Sequence, residues 1–322
     1  MFQIFLIHIS NVEMKKECLA ALVAIFRSGR AANLSKMITF RNTNLCGNCI
    51  AHLTKLVDAS SMLYILVLDH NRIDNMESAR YLSRSLRSHA CIRRLCLNHC
   101  NLGSSPEILL VILQSDVKGI DLSNNNIDSL GAVKIAEYLE SNPPIEYLFL
   151  GHNRLNDDDA ILISQALRRN TNLQGLYLQT NNFTSIGVKA LLTCVFDGSS
   201  LNAISESNHT LVEMIIFSNQ DSDNSSSYNV CSCIDELLQL DRIDKILLAL
   251  QDKDSIIKDL ANVPVGLMPE VLALPHQQVD NKFQHRYLNI LYSTMRWWNM
   301  PMLYLYYHDS CVKFDTKKKR DD

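Results

Sequence analysis

The chain has 322 residues and a mass of 36.6 kDa, with 47% hydrophobic and 20% charged residues. One hydrophobic core stops growing near ~250–300 residues, so this length asks for two domains or for a fold that grows by repetition. The composition excludes a disordered chain, and a net charge of −3 with a pI near 6.4 excludes the basic footprint of a nucleic-acid binder.

Residues 1–33 come first. Phe2 to Phe26 reads as a degenerate strand and helix, an N-terminal cap. The opening MFQIFLIHIS is apolar, but it is too short to span a membrane and lacks the basic start of a signal peptide.

Residues 34–200 repeat. Phe40, Leu68, Leu97, Leu122, Leu150 and Leu178 are spaced by 28, 29, 25, 28 and 28 residues. Around them the frame L-x-x-L-x-L-x-x-N-x-I/L recurs, for example Leu63/Leu66/Leu68/Asn71/Ile73 and Ile145/Leu148/Leu150/Asn153/Leu155. Leu-x-Leu has period 2, a short strand with one buried face. Asn71, Asn125, Asn153 and Asn181, with Cys100 in the same place, sit where the chain leaves the strand. There a side-chain amide can bond a loop backbone that has no ladder partner. The second half of each unit has helical spacing, as in Ala132, Ile135, Ala136 and Leu139. The Leu97 unit is shortened, and its helix is expected over Pro106 to Gln114. A strand and a helix in every unit stack into an α/β solenoid, with parallel strands lining the inside and helices the outside.

The array is expected to stop near residue 200, because LNAISESNHT from Leu201 puts Glu206 where a buried Leu belongs. Residues 201–230 then read as irregular, with a polar loop at 218–229. Residues 231–311 read as a small helical segment and residues 312–322 as a charged tail.

This frame resembles the ribonuclease-inhibitor type of leucine-rich repeat, from about Leu34 to Leu201. The resemblance implies a right-handed solenoid with a concave strand face that binds another protein. It also implies an alternative, because the class includes Ran GTPase-activating proteins and actin regulators: control of a small GTPase or of actin assembly.

The sequence holds no P-loop, GxGxxG, GxSxG or HExxH motif. An enzyme is therefore not expected, nor a cofactor, a small-molecule substrate, a nucleic acid or a membrane. Cys46-Gly-Asn-Cys49-Ile-Ala-His52 has zinc-like spacing but no second pair, so packing is expected rather than metal. Ten scattered cysteines suit reduced thiols and a cytoplasmic location; Lys317 to Arg320 leaves nuclear entry open. His70, His99 and His152 share one frame position and read as exposed rim residues.

Alternation assigns the binding surface. Residues between and beside the buried leucines point away from the core. Asp121, Phe149 and Tyr177 lie in the middle column, Arg94 and Tyr147 in the column before it, and Asp69 and Gln179 in the column after it. Tyr147, Phe149 and Tyr177 should form one aromatic patch, with Asp121 and Gln179 as its polar rim and Asp69 and Arg94 as further contacts.

Overall fold

The computed structural model describes residues 5–28, 35–45 and 47–216, together with Leu238 and Lys245. The polypeptide forms two compact units, Met1–Val195 with Ser207–Gln239, and Phe196–Glu206 with Leu240–Asp322. The predicted polar loop, the tail, Trp297-Trp298 and nearly all of the predicted C-terminal helices lie outside the described residues. Leu238 and Lys245 are helical and buried.

The first unit alternates strand and helix: β1 (Phe5–Ser10), α1 (Lys16–Arg27), β2 (Ser35–Arg41), α2 (Gly47–Asp58), β3 (Ile65–Val67) and α3 (Met76–Ser88). Then follow β4 (Arg94–Cys96), a 3-10 turn (Leu102–Ser104), α4 (Pro106–Leu113), β5 (Gly119–Asp121), α5 (Ser129–Glu140) and β6 (Tyr147–Phe149). It closes with α6 (Asp157–Leu167), β7 (Gly175–Tyr177), α7 (Ser185–Val195) and β8 (Glu213–Ile215). The eight strands form one open parallel sheet in chain order. Their register follows the leucine frame, with Leu66 beside Leu95, Leu95 beside Ile120 and Leu148 beside Leu176. Each of α1 to α6 packs on the next helix, and the Leu-x-Leu side chains are buried between sheet and helices.

The asparagines tie each unit to the one before. Asn71 Oδ1 accepts from the backbone N–H of Thr43 at 3.0 Å and of Leu45 at 3.2 Å, and its Nδ2 donates to Phe40 O at 2.8 Å. Asn125 does the same toward Cys100, Leu102 and Leu97. Asn153 serves Asn125, Ile127 and Leu122, and Asn181 serves Leu155 and Leu150. Cys100 has no amide. Its Sγ reaches Leu68 O at 3.3 Å, and Ile73 N–H goes instead to the Cys100 carbonyl at 3.4 Å. Burial pushes this thiol up to about 12.

The sheet is longer than the repeat frame indicated. The array does not end at Leu201: β8 pairs with β7, and Leu211, Met214 and Ile216 are buried in frame. Stepping from Leu178 to Ile216 takes 38 residues instead of 28. The excess accommodates α8 (Leu201–Ser205), which belongs to the second unit and is capped by Ser200 Oγ accepting from Ala203 N–H. Glu206 follows that helix and is not a failed strand position. The N-terminal segment is likewise a strand of the sheet, with β1 pairing β2 from Phe5 to Ser10.

Two backbone features explain residues that the repeat frame left unexplained. Asn11, Asn42, His70, His99, Asn124, His152 and Thr180 all have φ between 51° and 59°. This column makes the turn from strand to ladder residue in a left-handed conformation that Asn and His tolerate better than most residues. The histidine column is therefore a turn column, and His70 in it is half-buried. In the shortened unit, a Cβ on Gly103 would lie 2.3 Å from Asn126 O, so only glycine lets the two loops cross there.

Candidate functional site

The exposed face of the sheet carries the predicted residues, and the strands bring some of them together. Gly175 has no side chain to oppose Tyr147, whose Cδ1 lies 2.6 Å from where a Cβ would sit, so the Tyr147 ring lies over β7. Phe149 and Tyr177 hold the same frame position on adjacent strands. Their rings stack with centroids 4.2 Å apart and planes 7° from parallel. The Arg94 guanidinium lies 4.6 Å from the Phe149 ring centroid, on the face opposite charge favours. Its Nη2 is 3.9 Å from Asp121 Oδ2. Tyr177 OH donates to Glu213 on β8, and burial together with that carboxylate pushes the phenol up to about 12.

The polar residues divide differently from the expectation. Asp121 stands beside Arg94 and also accepts from Asn98 Nδ2. Asp69 accepts from the backbone and side chain of Asn98, at 3.0 and 3.2 Å, and so braces β3 against the turn after β4. Gln179, the other expected rim residue, is half-buried. It folds over Gly151, its Nε2 2.6 Å from where a Cβ would be, and its Oε1 has no hydrogen-bond partner among the described residues. Thr39 and Val67, in the middle column, are buried rather than displayed. Cys96 in that column is half-buried, and desolvation pushes its thiol up to about 11.

Arg94, Tyr147, Phe149 and Tyr177 line a depression of about 580 Å³. Its other walls come from residues the alternation rule did not select, chiefly Tyr64, Arg93, Lys118 and Glu146. They occupy the frame position just before each strand. A run of Tyr, Arg, Lys, Glu and Gln at that position was the signal available in the sequence. Lys118 Nζ pairs with Glu146 Oε1 at 2.9 Å.

Elsewhere on the same face, His70 and His99 stack at 4.3 Å, with Arg41 Nη2 3.4 Å from His70 Nε2. Desolvation and the neighbouring His70 hold His99 below the usual histidine range. Among the described residues no group of three or more His, Cys, Asp or Glu is placed to hold a metal ion. Cys49, of the zinc-like motif, is buried and donates to Met14 O at 3.2 Å; Cys46 lies outside the described residues. Among the described residues no helix is long and apolar enough to cross a membrane.

Eight parallel strands alternating with helices in an open sheet, joined by a side-chain amide ladder, make the first unit a leucine-rich-repeat solenoid of the α/β class. No family model matches the chain. It is similar to Protein TORNADO 1 of Arabidopsis thaliana, 25% identical over 125 residues, which is 38% of this chain and 9% of that protein. Its fold is similar to that of Leiomodin-1 Actin-Binding Site 2, with TM-score 0.34 and 13% identity over 57% of this chain and 86% of that one. It is also similar to the tropomodulin C-terminal domain of Caenorhabditis elegans, with TM-score 0.30 and 12% identity over 68% of this chain and 92% of that one. The curated match covers less than a tenth of the longer protein.

Proposed function

We propose that this chain is a non-catalytic protein-recognition module that binds a partner protein through the exposed face of its repeat sheet, in the manner of ribonuclease-inhibitor-type repeats. The observation that carries this reading is the stacked Phe149–Tyr177 pair, half-exposed and flanked by Arg94 and Tyr147. Rings held on a rigid sheet lose little conformational freedom on binding, and Tyr and Arg dominate interface hot spots. The proposal places the module in the cytoplasm, with its thiols reduced.

The test is the double variant Phe149→Ala/Tyr177→Ala, measured for melting temperature and for capture of partner from cell extract. Loss of the stack alone removes about 1 kcal/mol, so melting should fall by only a few degrees while capture is abolished. Capture retained with stability lost would make the rings a cross-strand brace and nothing more. The same variant, assayed in actin polymerisation and in GTP hydrolysis by small GTPases, decides whether the partner belongs to either class implied by the repeat resemblance.

A further inference from the structure

We propose that the depression above Gly119 recognises a single carboxylate side chain, Asp or Glu, next to an apolar residue in an extended segment of the partner protein. This deepens the protein-recognition reading and rests on it.

Charge sets the sign and the size of what fits. Arg93, Arg94 and Lys118 line the depression, against Glu146 as its one carboxylate. Lys118 is neutralised by Glu146 at 2.9 Å, and Arg94 is partly balanced by Asp121 at 3.9 Å. That last distance is too long for a hydrogen bond, and the Arg94 side chain is 42% exposed, so its terminal guanidinium nitrogens keep donor capacity toward a ligand. Arg93 is exposed, and among the described residues its side chain has no ion-pair or hydrogen-bond partner. With Glu213 held by the Tyr177 hydroxyl, Glu146 by Lys118 and Asp121 beside Arg94, Arg93 is the lining cation left without a carboxylate. A carboxylate matches it. A phosphate, near two negative charges at neutral pH, would meet Asp121 and Glu146 and be repelled.

Shape sets the neighbour. Gly119 is the floor. Gly119 is buried, and a Cβ there would meet Arg94 Cγ at 3.7 Å, Arg93 O at 3.8 Å and Tyr147 Cβ at 3.8 Å, ordinary contact distances, so a Cβ is accommodated at the floor. Its walls are the Tyr147 ring on one side and the Arg94 stem on the other, with the Phe149–Tyr177 stack beyond. These surfaces suit an aliphatic or aromatic side chain next to the acid.

The glycine floor supplies the test. Gly119→Val places a Cβ at ordinary contact distance and carries two methyl groups beyond it into the depression, and its melting temperature is measured beside its binding to show that the fold is kept. Arg93→Ala removes an exposed charge and cannot unfold the chain. The probe is an array of octapeptides whose positions carry Glu or Asp, Gln or Asn, Lys or Arg, phosphoserine, or Leu and Tyr. The full chain should select acidic residues beside apolar ones, and Gln-for-Glu peptides should bind about tenfold more weakly. Each variant should weaken the acidic peptides by a similar factor, and 0.5 M salt should do the same. The proposal is overturned if neutral or basic peptides are preferred, if phosphoserine outcompetes Glu, if no peptide is selected, or if either variant selects as the wild type does. Should Phe149→Ala/Tyr177→Ala abolish partner capture while Gly119→Val leaves it intact, this inference fails and the recognition reading stands. If neither variant affects capture, both fail.

Discussion

Thr180 is the one β-branched residue in a left-handed column otherwise filled by Asn and His. At φ 56° an L-residue brings its Cβ close to the following carbonyl, and branching makes that worse. The side chain is exposed, so nothing obvious offsets the strain. Thr180→Asn should therefore stabilise the chain by about 1 kcal/mol, read as a rise in the denaturant midpoint; no change would mean that Thr180 is unstrained. The ladder residues have the opposite sign. Asn125 contacts the backbone of Cys100, Leu102 and Leu97 in a buried turn. Asn125→Ala strands those groups away from water and should cost about 2 kcal/mol or more, measured in the same titration. At this scale the ladder is legible because the frame repeats and an amide is the side chain that both donates and accepts. The left-handed column is less so. Its Asn and His residues read equally well as exposed polar residues, and only backbone angles tell a turn from a rim.

The elements are positioned by caps that reach across repeats. Asp157 opens α6, yet its carboxylate caps α7: Oδ1 accepts from Thr184 N at 2.8 Å and Gly187 N at 3.0 Å, and Oδ2 accepts from Thr184 Oγ1 at 2.5 Å. Desolvation raises this carboxyl, but the three hydrogen bonds outweigh it and hold it below the usual carboxylate range. A depressed folded-state value means a contribution present above the unfolded value of ~4 and lost as pH falls through the folded one. Asp157→Asn should therefore be less stable than wild type at pH 7, with the gap closing as pH falls below the unfolded value of ~4 in a pH series of unfolding curves. A constant gap would show that the charge is irrelevant. Strand and helix were readable from the change of period within each unit, even in the shortened one. The last strand was not. An insertion breaks the 28-residue step and moves Met214 and Ile216 ten residues out of frame.

At the scale of the whole sheet, each repeat buries its faces only against its neighbours, so a defect in one is felt by two. Leu150, directly after β6, lies between sheet and helices with a repeat on either side and is fully buried. Leu150→Ala should cost about 2–5 kcal/mol, and a loss below ~1 kcal/mol would contradict its place in the core. Only part of the candidate site was visible from this scale of the sequence. Arg94, Tyr147, Phe149 and Tyr177 follow from alternation along strands. Arg93, Lys118 and Glu146 precede the strands, where alternation has not begun, and a depression between strands is a property of several repeats at once. Partner identity has no such pattern, because it resides in what the partner presents. Cys100 has a consequence of another kind. At the join between the Leu68 and Leu97 repeats the ladder position makes a thiol contact and a 3.4 Å backbone bond in place of the amide clasp that Asn71, Asn125, Asn153 and Asn181 make at theirs, and the Asp69 carboxylate on Asn98 is the side-chain brace that remains. Within the stretch from Asn71 to Asn181 this is the place where the ladder lacks its clasp. In native-state hydrogen exchange the amides before and after that join should open as two separate blocks. Of the joins between the Phe40 and Leu178 repeats, this one should tear first under mechanical pull, dividing the described sheet into an N-terminal piece of three strands and a C-terminal piece of five that carries the aromatic patch.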